Sequence, residues 1–166
     1  MNKHVAMNPM KRLAYAFLGL LAGDAILLLY LLQNAIRLRA DLLAVHMGEP
    51  ERQIPQALQI FNLYARLSFL GWLFVALPIA LFLPAHLIRR LPWPLRPFVG
   101  AALGPVALFL IFMLVTDGSR TALMHGHMLP GIFRGTASLW PLSILVSTVS
   151  FVLYVALLPK EKVMDV

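Results

Sequence analysis

Residues 13–36 read LAYAFLGLLAGDAILLLYLLQNAI, an apolar run that holds one charged side chain, Asp24. A hydrocarbon core about 30 Å thick needs about 20 such residues to be crossed as a helix, and the run meets that length. Lys11 and Arg12 precede it, as they would in a secretory signal. The run is too long for an apolar region of about 7–15 residues and no small-x-small cleavage site follows, so it is expected to persist as a membrane helix. Outward from it, windows 67–85, 98–116 and 137–158 pass the same test. Every Lys and Arg, and six of the seven acids, fall outside the four windows.

Composition agrees. The chain has 166 residues, 60% apolar and 13% charged, with no cysteine. Soluble domains carry about 25% charged residues, and disorder requires low hydrophobicity, so neither class fits. Lack of cysteine removes disulfides, thiolate metal sites and thiol nucleophiles. The expectation is an all-α membrane protein: one up-down bundle of four transmembrane helices, over about 13–47, 56–90, 98–116 and 137–158. The period-2 alternation of a barrel is absent.

Four crossings put both termini on one side. That side carries Lys3, Lys11, Arg12, Arg89, Arg90, Arg96, Lys160 and Lys162, and the other carries Arg37, Arg39, Arg52, Arg66, Arg120 and Arg134. The positive-inside rule places the first set in the cytoplasm, as for a multi-pass protein of the bacterial inner membrane. The net charge of +7 is then a topology signal at helix ends, where lipid headgroups are the expected contact and nucleic acid is not.

Between the first two windows, Arg37 and Asp41 have i,i+4 spacing, Gly48 is a helix stop, and Pro55 suits the first position of the next helix. The reading is a long antiparallel hairpin with arms of about 35 residues, or about 50 Å. It should overshoot the bilayer on the outer face, where Arg39, Asp41, Glu49 and Arg52 would offer a partner surface. The 117–136 loop, with Asp117 and Arg120, is a second candidate contact, since connections longer than about 12–15 residues are uncommon unless functional.

Asp24 lies eleven residues after Leu13 and twelve before Ile36, near mid-bilayer. An ionised, unpartnered acid there costs about 2.5–3.5 kcal/mol on insertion scales, so a neutral carboxyl donating a hydrogen bond is the expected form. Gly19 and Gly23, and Gly100 and Gly104, form GxxxG pairs that mark packing seams. Trp140, Ser143, Ser147, Ser150 and Tyr154 fall within about 80° on the fourth helix at 100° per residue. That serine face, Ser147 foremost, is expected to supply partners for Asp24. A structural role in holding the bundle in register ranks ahead of proton coupling or cation binding. Pro78 and Pro105 are expected to kink their helices.

No catalytic constellation emerges. Asp24 and Asp117 lie at different depths and cannot form a carboxylate pair, and none of the Asn- and Asp-containing motifs of lipoprotein signal peptidases surrounds these acids. Asp117, Ser119 and His125 share a loop without a nucleophile elbow. His125 and His127, with His46, are read as polar loop residues, since a metal needs further ligands in fixed geometry; haem needs two histidines inside the bundle at one depth, whereas His4 and His86 are expected at the inner edge and the other three outside. No cofactor and no enzymatic activity are expected. In size and topology the chain is similar to bacterial immunity proteins against pore-forming toxins, without a shared motif. Two functions follow: a non-enzymatic protein that contacts another membrane protein, as an accessory subunit or an immunity-type inhibitor, or a small oligomeric transporter coupled to protons or cations through Asp24. GxxxG faces would serve self-association equally well.

Overall fold

A computed structural model describes residues 8–45, 48–115 and 136–159. Four helical segments are long and apolar enough to cross a membrane: Pro9–Val45, Pro50–Phe82, Leu95–Leu114 and Trp140–Leu157. The chain is a multi-pass, all-helical membrane protein, and no strand occurs among the described residues.

The first helix, α1, spans Pro9–Val45 and starts four residues before the apolar run. Asn8 explains the difference: its Oδ1 accepts the Met10 N–H at 2.9 Å and its carbonyl accepts the Lys11 N–H at 3.0 Å. Pro9 fills the first helical position, where no N–H is needed. At 1.5 Å per residue α1 is about 55 Å long. Gly48 then takes φ +78, a left-handed conformation that glycine adopts without a Cβ penalty.

A 3-10 turn at Pro50–Arg52 leads into α2, Gln53–Gly71, so Pro55 stands in the first turn rather than at its first position. The expected single helix over 56–90 is not continuous. A π-helical turn, Trp72–Ala76, follows α2, then come α3, Leu77–Phe82, and α4, Ala85–Arg90. Pro78 accounts for the first irregularity: it has no N–H for the Phe74 carbonyl, and its ring would press on that oxygen. Widening the preceding turn, with the Leu77 N–H bonded to the Trp72 carbonyl, relieves the clash. Pro84 accounts for the break, because it disfavours helical backbone at the residue before it, and Leu83 is extended at φ -80, ψ 125.

The Leu83 carbonyl left by the break is taken up by Arg12, whose Nη2 donates to it across the bundle. Arg12 is buried at 8% exposure. Farther along, Arg89 Nη1 donates to the Pro159 carbonyl, and Arg96 donates to those of Leu91 and Arg89. Cations assigned to topology thus also satisfy carbonyls that proline-rich connections leave without helical donors.

Helix α5 spans Leu95–Val115 and α6 spans Trp140–Leu157. Helix α5 begins at 95 rather than 98, because Pro97 is accommodated in its first turn. It continues through Pro105. The α1 and α2–α3 arms run antiparallel, since Asp24 meets Ser68 while the earlier Arg12 meets the later Leu83. Helix α6 packs against both α1 and α5. Two buried apolar clusters hold the bundle. One gathers Ala16, Ala80, Ile88, Tyr154, Val155 and Leu158; the other gathers Leu27, Tyr64 and Val146.

Candidate functional site

Helix α6 lies against two glycine pairs. A Cβ on Gly19 would fall 2.5 Å from the Ser150 carbonyl oxygen, and one on Gly23 would fall 2.7 Å from that of Val146. On the other side, a Cβ on Gly104 would fall 2.5 Å from the Ser143 oxygen, and one on Gly100 would fall 2.8 Å from the Thr148 Cα. These are backbone contacts, closer than any side chain allows. Small residues permit such approach in a membrane, where dispersion rather than water expulsion holds helices together.

Ser143, Ser147 and Ser150 occupy these seams and do not meet Asp24. Each donates to its own helix: Ser143 to the Trp140 carbonyl at 2.9 Å, Ser147 to Ile144 at 3.2 Å, Ser150 to Val146 at 2.7 Å. The partner of Asp24 is Ser68 of α2, with Ser68 Oγ 2.7 Å from Asp24 Oδ1. The expected pairing with the serine face is therefore corrected. Gly23 faces α6, and the next residue, turned about 100° around α1, faces α2. A signal was present, since Ser68 is the one hydroxyl side chain in window 67–85.

Hydrogen-bond counting bears on this pair. Ser68 Oγ is also 3.1 Å from the Ala65 carbonyl, yet a hydroxyl has one proton. A protonated Asp24 donating to Ser68 would let Ser68 donate to Ala65, satisfying both contacts. An ionised Asp24 would take the serine proton and leave the second contact unmade. Asp24 is half-buried, so the bundle does not enclose it on all sides.

Between the apolar clusters lies a cavity of about 110 Å³, walled by residues of all four spans. Ala16, Trp72, Leu103, Ala107, Ser147 and Tyr154 are among its lining residues; Asp24 is not. Trp72 stands at the π-helical turn, edge-on to Phe17 at 5.6 Å and stacked on Phe69 at 6.0 Å. Its indole Nε1 and the Tyr154 hydroxyl are buried without a hydrogen-bond partner among the described residues.

At the far end of the hairpin, Arg39, Asp41, Glu49 and Arg52 are exposed. Among the described residues the ion pair there is Arg52 Nε with Glu49 Oε2 at 2.6 Å, and Arg37 and Asp41 make none despite their spacing. At 71% and 61% exposure the Arg52–Glu49 pair contributes little to stability. Asp117, Arg120, Ser119, His46, His125 and His127 lie outside the described residues. Among the described residues no three His, Cys, Asp or Glu side chains gather as metal ligands. Comparison of the chain with protein-family models, with curated proteins and with solved structures finds no match.

Proposed function

We propose that this is a non-enzymatic protein of the bacterial inner membrane, with both termini cytoplasmic, that works by binding another membrane protein. An accessory subunit of a membrane complex and an immunity-type inhibitor of a membrane-inserted toxin are the two forms of that reading. The observation that carries it is the end of the hairpin. Helix α1 is about 55 Å long and a hydrocarbon core is about 30 Å thick, so its last turns extend beyond the outer face. There Leu38, Leu43, Val45 and Leu58 are all exposed, interleaved with Arg37, Arg39, Asp41 and Arg52. Exposed apolar side chains set among charges, outside the lipid on this reading, support contact with a protein partner.

A photocrosslinking side chain at Leu43 or Leu58 tests this in the native membrane. The expected outcome is a discrete protein adduct at both positions, weakened by Arg39→Glu with Arg52→Glu, and none at Phe74, which the same reading leaves to lipid. Equal labelling at all three positions, or labelling by lipid alone, would overturn it. Asp24 favours the second reading, an oligomeric proton- or cation-coupled transporter, because a half-buried acid at mid-span suits a site completed by a second copy. Gradient-driven flux in proteoliposomes that disappears with Asp24→Asn would establish it; flux that persists would eliminate it.

A further inference from the structure

The second span, Pro50–Phe82, has 33 residues, more than the hydrocarbon core needs. A core-crossing stretch of about 20 residues can begin anywhere from residue 50 to 63 and so end from 69 to 82, and residues 63–69 belong to every such stretch. Arg66 is among them. By hydropathy it precedes the apolar run 67–85, but α2 is continuous across it, so the helix carries this cation into the core. Its side chain is exposed, which turns it out of the bundle. Its Nε donates to Asn62 Oδ1 at 3.2 Å, and no acid pairs with the guanidinium among the described residues.

Arg66 belongs to a stripe. At 100° per residue, Gln56, Gln59, Asn62 and Arg66 fall within about 120° on α2, and all four are exposed. The opposite side of α2 carries Ala57 and Tyr64, which are buried, and Ser68, which holds Asp24. The helix thus turns amides and a guanidinium outward, where lipid would meet them with hydrocarbon. Ionised side chains in a span pair with a counter-charge or face a polar space, and Asn and Gln bond across helices.

Charge decides the occupant. A second copy related by a two-fold axis along the membrane normal would set Arg66 against its own counterpart at equal depth, and like charges repel. Asp24, the one acid in the four apolar windows, is already bonded to Ser68. The complement is an acid from a different protein. We propose that this stripe docks a transmembrane helix of another membrane protein, one that presents an Asp or Glu carboxylate to Arg66 and hydrogen-bonding side chains to Asn62 and Gln59. A guanidinium suits a carboxylate because its planar fork donates two parallel hydrogen bonds. The contact rests on the reading of the chain as a protein that binds another membrane protein, and it adds an interface within the bilayer to the one at the hairpin end.

The test places a photocrosslinking side chain at Leu63, which is exposed and lies beside Arg66 on the stripe, in the native membrane. Val106 of α5, also exposed, is the lipid-facing control. Leu63 should give a discrete protein adduct and Val106 none. Mass spectrometry should place the adducted peptide in a transmembrane segment of a different protein that contains Asp or Glu. Arg66→Met should lower the yield at Leu63 about ten-fold, the factor for one charged hydrogen bond, Arg66→Lys should lower it less, and changing the partner's carboxylate to its amide should act as Arg66→Met does. Circular dichroism checks the fold of Arg66→Met, and Arg66→Gln replaces it if it unfolds. An adduct with a second copy, with lipid alone or with a segment lacking an acid would overturn the proposal, as would a yield unchanged by Arg66→Met. An adduct at Leu43 with none at Leu63 would overturn the stripe and leave the hairpin contact standing; none at either position would remove the reading on which both rest.

Discussion

Placing methyl groups in the two glycine seams that α6 lies against measures how tightly that helix is held. In Gly104→Ala the new Cβ would stand 2.5 Å from the Ser143 oxygen and 2.7 Å from Ser147 Oγ. Ordinary contact begins near 3.4 Å, so α6 must retreat by about 0.9 Å, and overpacking of this kind costs about 1–3 kcal/mol. Against it stands the gain from replacing a mid-helix glycine by alanine, about 0.5–1 kcal/mol. The net expectation for Gly104→Ala is a loss of about 1 kcal/mol. Gly19→Ala should behave alike, its Cβ falling 2.5 Å from the Ser150 oxygen. Ser143 and Ser150 lie within about 20° of each other around α6, so one outward shift of the helix relieves both contacts. The double variant should therefore lose less than the sum of the single losses, about 1.5 kcal/mol in all. Gly71→Ala is the internal control: its Cβ meets only the Ala107 methyl, at 3.1 Å, so its change should be within about 0.5 kcal/mol of zero. Unfolding in mixed micelles, followed by circular dichroism against the mole fraction of dodecyl sulfate, gives all four numbers. A double variant as stable as the wild type, or losses that simply add, would refute the shared shift of α6.

Two further predictions concern polar contacts inside the spans. A double-mutant cycle on Asp24→Ala and Ser68→Ala should return a coupling of about 0.6–1.7 kcal/mol, the range for hydrogen bonds between membrane helices, whereas Asp24→Ala with Ser147→Ala should return none; the reverse ranking would restore the serine face as the partner. Asp24→Asn alone should keep the fold, since its amide can donate to Ser68 as a protonated acid would, so the same micelle assay should place it within about 1 kcal/mol of the wild type. Arg12→Met removes the charged donor from the Leu83 carbonyl and should lower stability by about 1.5–3 kcal/mol; Arg90→Met, at an exposed site, should change it by less than about 0.5 kcal/mol, and equal effects would show that Arg12 matters only as a charge.

The spans were legible because lipid imposes a rule that acts on each segment alone. A backbone crossing hydrocarbon must satisfy its own hydrogen bonds, so length and hydropathy suffice to mark where helices lie. Their ends were less legible. Asn8 and Pro9 extend α1 below the apolar run, and caps of this kind act through two or three residues that a hydropathy window averages away. Pro84 lies inside a window that reads as one helix, yet it breaks the second span, and the carbonyl it exposes recruits Arg12 from seventy-one residues away. Such a pairing has no local signature.

The polar centre shows the same division. From the sequence, Asp24 stands out as a mid-bilayer acid, Gly19, Gly23, Gly100 and Gly104 as faces of close approach, and three serines as one stripe on the fourth helix, since each follows from composition and the 3.6-residue period. Which helix stands on which side of α1 is a different kind of information. A rotation of about 100° per residue separates Gly23 from Asp24, and only the arrangement of neighbours decides that the first meets α6 and the second meets Ser68. The cavity, with its two unmatched donors, belongs wholly to the tertiary level. It arises because α6 is drawn against glycine seams on α1 and α5 while Pro78 and Pro84 redirect the second span, and a space between four helices is a property of no single one.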